Sequence, residues 1–140
     1  MPEPSSAPVR QPVVAAIVTS EQGLLITKRR DGVPPFAFLS GEIEPGESPA
    51  DAAVRECKEE AGLAIKAGHT IAERIHPKTG RLMYYMAAAP THGTAVIVGD
   101  EDELAEVRWV SLAEADELME PFGGMYAPVH EYLSRKLSQA

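Results

Sequence analysis

Runs of aliphatic and β-branched residues, separated by turn-forming residues, recur along most of this chain. Six such runs are present, at residues 13–18, 24–28, 70–75, 82–86, 94–98 and 106–110. Each run is of a length and composition typical of a β-strand. Residues 21–23 predict a tight connection between the first two runs, and residues 76–80 predict a hairpin turn between the third and the fourth. We therefore expect a mixed β-sheet.

Helical periodicity appears in three further segments, at residues 48–61, 111–119 and 127–137. In the first of these, Ser48 suits the N-cap, Pro49 suits the first turn and Gly62 suits a left-handed stop. A stripe of small and apolar side chains predicts the buried side of this helix: Ala50, Ala53, Val54, Cys57 and Ala61. The preceding residues, 41–47, contain Pro-Gly and predict a loop that folds back against the helix.

Composition and charge narrow the class of protein. With 140 residues and 44% hydrophobic composition, the chain can build one core, and we expect a single domain at residues 12–140. Residues 1–11 are rich in proline and serine and predict a disordered tail. The net charge of −8 argues against duplex nucleic acid as a partner. No apolar run reaches membrane-spanning length and no signal pattern is present, so we expect a cytoplasmic monomer or homodimer.

Residues 41–63 carry seven acidic side chains, most of them at helical spacing. Glu56, Glu59 and Glu60 share one face, because residues three and four apart are neighbours on a helix. Adjacent carboxylates repel one another, so we expect a compensating charge, and hard divalent cations prefer such oxygen ligands. A merely solvated acidic face would also explain the charge. It would not explain the joint spacing of the glycines, the arginine and the glutamates in this segment.

That spacing matches the pattern G-x5-E-x7-R-E-U-x-E-E-x-G-U, in which U is aliphatic. The matching residues are Gly41, Glu47, Arg55, Glu56, Cys57, Glu59, Glu60, Gly62 and Leu63. On these residues the chain resembles the Nudix hydrolases, from about residue 13 to 137. The resemblance implies an α/β class fold, an α/β/α sandwich in which the signature loop and helix pack on a mixed sheet. Cys57 stands where a larger aliphatic residue is typical, but a buried cysteine behaves as a small hydrophobe.

The resemblance also implies a metal site. Glu56, Glu59 and Glu60, together with the backbone carbonyl of Ser40, are expected to hold Mg²⁺ or Mn²⁺. The family often has glycine where this chain has Ser40, which leaves the carbonyl in place but allows fewer backbone conformations. Glu47 and Arg55 are expected to support catalysis by fixing the loop on the helix. The cation would neutralise charge at a diphosphate bridge and activate the attacking water.

A carboxylate must take a proton from that water, and we expect Glu56 to do so. Family members differ at this point, and an acid in the run 100–103 is the alternative. Within that run, Glu101 and Glu103 are candidates for a second base or a further ligand. A solvated acidic turn is the equally open alternative for the run as a whole.

Residues outside the signature are expected to bind the substrate. The candidates are basic residues at a strand end and aromatic residues that could stack on a base: Lys28, Arg29, Arg30, Phe36 and Tyr84. The short chain resembles the MutT-like branch, which implies hydrolysis of a nucleoside triphosphate, oxidised ones included, to a monophosphate and pyrophosphate. ADP-ribose or another nucleoside diphosphate sugar is the nearest alternative substrate, and dinucleoside polyphosphates are a further one. A nucleotide-sensing module without activity is the alternative class, although such modules usually lose the signature glutamates that are all present here.

Overall fold

The computed structural model describes residues 10–137 of the chain. The tail expected to be disordered lies outside this range, except for Arg10 and Gln11. Within the range, no helix is both long and apolar enough to cross a membrane. The elements in chain order are β1 Val13–Ser20, β2 Gly23–Arg29, β3 Phe36–Glu42, α1 Pro49–Ala61, β4 Ile65–Ile75, β5 Leu82–Pro90, β6 Leu104–Val110, α2 Leu112–Met119, a 3₁₀ turn Glu120–Phe122 and α3 Ala127–Leu137.

The six strands form one mixed sheet in the order β4-β5-β1-β3-β2-β6. β1 lies in the interior and pairs parallel with β5 and antiparallel with β3. Its side chains alternate between two cores: Val14, Ala16 and Val18 pack with α1, whereas Ala15 and Ile17 pack with α2 and α3. Because both faces of β1 are covered, its sequence is a continuous apolar run. The expected α/β/α sandwich with a mixed sheet is confirmed.

Five of the six predicted strands are present, and two of them are clearly longer than predicted. β4 begins at Ile65 instead of residue 70, and β5 continues to Pro90 instead of ending at residue 86. β3 was not predicted, and it extends through Gly41 and Glu42, which we had expected to lie in the loop. The prediction of a strand at 94–98 was wrong, because this segment is not part of the sheet. Its backbone bonds to the end of α1, with Ile97 N–H donating to the Ala61 carbonyl at 3.0 Å, so these groups are satisfied without a neighbouring strand.

Helix α1 begins and ends as the sequence predicts. The Ser48 hydroxyl accepts a hydrogen bond from the Asp51 N–H at 3.0 Å, and Gly62 closes the helix with a φ of 63°. The prediction that Val54 is buried was wrong, because it points about 100° away from Ala53 and lies exposed. Cys57 is fully buried, and burial raises the pKa of its thiol to about 12, so it packs as an apolar side chain.

Gly23 closes the β1–β2 turn, and its substitution tests the close approach of β2 to β6. It has a φ of 113°, and a Cβ there would lie 2.2 Å from the Val110 carbonyl oxygen. Gly80 also has a positive φ, of 72°, but a Cβ there meets nothing within 4 Å. We expect Gly80→Ala to cost about 1–2 kcal/mol of unfolding free energy through backbone strain alone.

Gly23→Ala is expected to cost clearly more, because backbone atoms of β6 would also have to move. Urea unfolding followed by circular dichroism measures both values. Equal losses for the two variants would contradict the proposed contact between the strands.

Candidate active site

The Arg55 guanidinium joins the loop after β3 to helix α1. Its Nε donates to Glu47 Oε2 at 2.8 Å, and its Nη2 donates to Glu47 Oε1 at 2.9 Å. Nη2 also donates to the carbonyl of Glu42 at 2.9 Å, at the end of β3. Glu47 in turn accepts from the backbone N–H of Glu44, and these contacts, with that from Arg55 the largest, hold the pKa of Glu47 at about 2. The loop is therefore held by contacts to α1, by the arginine's contact to the end of β3 and by a hydrogen bond within the loop itself.

The three signature glutamates of α1 differ in environment. Glu56 and Glu60 are each only 9% exposed, whereas the side chain of Glu59 is 59% exposed. Arg55 Nη1 donates to Glu56 at 2.8 Å and to Glu59 at 3.3 Å. Burial raises the pKa of Glu56, and burial with a hydrogen bond to Glu56 raises that of Glu60. Two buried carboxylates thus share a site with one arginine, which favours binding of further positive charge.

Gly41 makes room for the Glu56 carboxylate. A Cβ at Gly41 would lie 1.5 Å from Glu56 Oε2, so the carboxylate packs directly on the backbone of β3. Ser40 is the preceding residue of the same strand and lines the same cavity. The glycine at this position is therefore a steric requirement of the site.

The three glutamates line a cavity of about 510 Å³ beside the end of β3. Among the described residues that line it, only Val13 is apolar, and Arg29 and Arg81 are the basic ones. The full lining is Val13, Arg29, Ser40, Gly41, Glu42, Glu44, Glu56, Glu59, Glu60, Arg81, Asp100 and Glu103. A second cavity of about 530 Å³ lies against α3, but no signature residue lines it. The first cavity is suited to a cation and a chain of phosphates, because nine of its twelve lining residues are charged.

The acidic run 100–103 is docked beside the glutamates. The Gly99 N–H donates to the Glu60 carbonyl at 2.8 Å, and Arg30 N–H donates to the Glu103 carbonyl at 2.8 Å. A Cβ at Gly99 would lie 2.0 Å from the Glu59 carbonyl oxygen, so the loop touches the helix backbone. Of the two candidates in this run, Glu103 lines the cavity and Glu101 does not. Asp100 lines the cavity as well.

The predicted substrate-binding residues are dispersed. Arg29 lines the cavity. Its Nε donates to Asp31 Oδ1 at 3.1 Å, and its Nη2 donates to Asp31 Oδ2 at 2.8 Å. Arg30 instead donates to the carbonyl of Glu101. The remaining three candidates do not line the cavity: Lys28 is near Glu106 and the Phe36 ring, Phe36 packs with the α2–α3 core, and Tyr84 packs with the α1 core. Phe36 and Tyr84 therefore lie on opposite faces of the sheet.

Four cavity residues were missed by the sequence analysis, namely Val13, Glu42, Glu44 and Arg81, and the last of these contacts Glu42. Arg81 follows the turn between β4 and β5, and Glu42 ends β3; Arg81 Nη2 donates to Glu42 Oε2 at 3.0 Å. Neither position belongs to the signature pattern. No periodic signal marks them, because only the pairing of β5, β1 and β3 brings them together.

The donors fit a hard divalent cation, since all of them are oxygens and two are buried carboxylates with raised pKa values. Within residues 10–137, no three acidic, histidine or cysteine side chains already stand in a metal-binding arrangement. In the structure Arg55 contacts both Glu56 and Glu59. The chemistry of the donors, and the Gly41 cradle under Glu56, support the expected site at Glu56, Glu59, Glu60 and Ser40.

Comparison with known proteins identifies the family. The family model described as NUDIX domain matches residues 9–130. A Bacillus subtilis (strain 168) protein named "Putative 8-oxo-dGTP diphosphatase" is 32% identical over 105 residues, which cover 75% of this chain and 68% of that protein. An RNA pyrophosphohydrolase of Campylobacter jejuni (strain RM1221) is 28% identical over 146 aligned positions, covering 90% and 94% of the two chains.

Solved structures show the same fold. A Nudix hydrolase from Nitrosomonas europaea superposes with a TM-score of 0.73 at 18% identity, covering 95% of this chain and 75% of that one. The MutT protein of Methanosarcina mazei Go1 gives a TM-score of 0.64 at 19% identity, with coverage of 95% and 100%. Fold and site thus define a hydrolase of the diphosphate bond in nucleoside diphosphate derivatives. The chain belongs to the Nudix family, whose members generally depend on divalent metal ions.

Substitution of Gly41 tests the contact between β3 and the signature helix. In Gly41→Ala, the new Cβ would displace the flexible end of Glu56 rather than any backbone, so the fold is expected to remain. A misplaced carboxylate is expected to lower hydrolysis of the preferred nucleotide by about 10²-fold. The control is Gly68→Ala in β4, which also has no positive φ and where the atom nearest to a Cβ lies at 3.4 Å, an ordinary contact. Rates of Gly41→Ala within about threefold of this control would contradict the proposed role.

Proposed function

We propose that this chain hydrolyses nucleoside triphosphates, oxidised ones included, to a monophosphate and pyrophosphate. The observation that carries the proposal is the charged cavity, in which the signature glutamates and two arginines are among nine charged residues of the twelve that line it. Such a surface suits a phosphate chain and leaves the base outside. The name of the B. subtilis relative, which refers to 8-oxo-dGTP, agrees with this choice, whereas the name of the C. jejuni relative shares the pyrophosphohydrolase reaction and refers to RNA.

In this proposal each polar residue has a defined task. Glu56, Glu59, Glu60 and the carbonyl of Ser40 would hold Mg²⁺, with Mn²⁺ as a substitute. The cation supplies positive charge that stabilises the transition state of phosphate hydrolysis. Arg55 keeps the loop and helix in register through Glu47. Glu56 accepts a proton of the attacking water, whose oxygen bonds to one phosphorus of the bridge. The bond between that phosphorus and the bridging oxygen breaks, and the monophosphate and pyrophosphate separate.

The remaining expectations follow from the same view of the protein. We propose a single catalytic domain at residues 12–140 that acts in the cytoplasm as a monomer or homodimer on a small nucleotide. ADP-ribose and nucleoside diphosphate sugars are the alternative substrates. The alternative of a sensor without activity is disfavoured, because the glutamates and Arg55 form a connected, partly buried network.

A substrate panel tests the reaction. We expect Mg²⁺-dependent release of pyrophosphate from at least one nucleoside triphosphate, measured against ADP-ribose and a nucleoside diphosphate sugar. Glu56→Gln and Glu60→Gln are each expected to lower the rate by about 10²-fold or more. Asp51→Asn removes a carboxylate from the exposed side of the same helix and should change the rate by less than about threefold. Tight binding of a nucleotide without turnover would favour the sensor instead.

The acidic run offers a matched pair of variants. Glu103 lines the cavity and Glu101 does not, although both are exposed acids of one turn. We expect Glu103→Gln to lower the rate by about tenfold or more and Glu101→Gln to leave it nearly unchanged. If Glu103→Gln costs more than Glu56→Gln, the base is Glu103. Equal, small effects of both variants would mean that the run is only a solvated turn.

A further inference from the structure

Arg81 is a basic residue of the active-site cavity to which the signature assigns no role. It follows the turn between β4 and β5, where its carbonyl accepts a hydrogen bond from the His76 N–H at 2.8 Å. Its side chain is only 13% exposed, although it lines an open, charged cavity. An arginine with so little exposure is expected to have a fixed position and a specific set of partners.

The partners of Arg81 leave part of its hydrogen-bonding capacity unused. Nε donates to the Gln11 carbonyl at 3.0 Å, and Nη2 donates to the same carbonyl and to Glu42 Oε2 at 3.0 Å. Within residues 10–137, Nη1 donates no hydrogen bond. The Gln11 carbonyl therefore fixes the guanidinium, while at least one nitrogen remains free to bind a ligand.

Glu42 is an exchangeable partner. Its side chain is 59% exposed, and within the described residues the carboxylate accepts a hydrogen bond from Arg81 alone. Because the Glu42 side of this ion pair lies largely in solvent, its carboxylate can leave Arg81 and be solvated by water. A phosphate can take the place of Glu42, because the planar guanidinium matches phosphate oxygens at least as well as a carboxylate.

The two cavity arginines are attached at opposite ends of β3. Arg29 ends β2 and its N–H donates to the Pro35 carbonyl, just before β3 begins. Arg81 reaches from the start of β5 to Glu42, where β3 ends, across Val13 at the start of β1. The signature glutamates line the same cavity as both arginines, and Glu56 packs on Gly41, next to Glu42. A substrate whose phosphates extend through this cavity can therefore meet both arginines.

We propose that Arg81 determines specificity by binding the pyrophosphate end of a triphosphate substrate, where it exchanges Glu42 for phosphate oxygens. This inference rests on the proposed function, because it assigns the two sides of the cleaved bond to the two arginines. A nucleoside diphosphate sugar has no third phosphate to meet Arg81. The site would therefore favour triphosphates over diphosphate-linked sugars.

Direct binding of the two products tests this assignment without relying on turnover. Calorimetry measures the affinity of the full chain for Mg²⁺-pyrophosphate and for a nucleoside monophosphate. We expect Arg81→Gln to weaken pyrophosphate binding by about tenfold or more, as for a lost charge-assisted hydrogen bond, and monophosphate binding by less than about threefold. Arg81→Lys should recover part of the loss. Lys78→Gln removes the same charge from the same turn and should leave both affinities unchanged.

Glu42 provides a test in the opposite direction. Because it competes with phosphate for Arg81, Glu42→Gln is expected to strengthen pyrophosphate binding by up to about fivefold. The gain should disappear in the Arg81→Gln background. Glu44→Gln removes another cavity carboxylate that has no contact with Arg81, so its effect should be the same in both backgrounds.

The outcomes separate this inference from the proposed function. If triphosphates are cleaved but Arg81→Gln binds pyrophosphate as the wild type does, the inference is wrong and the function stands. Equal weakening of the affinities for both products, in a variant with unchanged melting temperature, would likewise overturn it. Arg81 would then act on the site as a whole and would not select the pyrophosphate end. If no nucleotide in the panel is cleaved, the proposed function fails, while Arg81-dependent binding of pyrophosphate remains measurable.

Discussion

Within residues 10–137, five hydrogen bonds of the Arg55 guanidinium hold together the strand, the loop and the helix that form the active site. They join the end of β3, the loop acid Glu47 and the helix acids Glu56 and Glu59. Each of these elements has its own local reason to form, but none of those reasons sets their mutual position. A planar guanidinium can satisfy several acceptors at once only if they surround it correctly. The loop, helix and strand are therefore constrained as one unit.

Around that unit, the protein concentrates negative charge at a cost. Glu56 and Glu60 are buried side by side, and Asp100 and Glu103 approach them from a separate loop, which adds to the raised pKa of Glu60. Burial of like charges destabilises a fold unless counter-charge is present. In a Nudix hydrolase a divalent cation can supply that counter-charge. The surrounding core, which α1 shares with the sheet, supplies the stability that such a site needs.

Local signals predicted the parts of the fold that depend on local physics. The ends of α1 follow from Ser48 and Gly62, whose capping roles need only their immediate neighbours. The strand predicted at 94–98 failed for the opposite reason. Its apolar pattern was correct for a half-buried segment, and Val96 does pack on the α1 core. Its backbone, however, found partners at the end of a helix instead of in the sheet.

The sequence by itself determined how the signature residues come together, because a short loop and one helix hold them at fixed spacing. It did not determine the rest of the cavity. Arg81 meets Glu42 only through the pairing of three strands. Glu103 lines the cavity and Glu101 does not, and this difference depends on how their loop packs on the backbone of α1. Contacts between residues far apart in the chain depend on packing and register. Those are properties of the whole fold, and no local pattern encodes them.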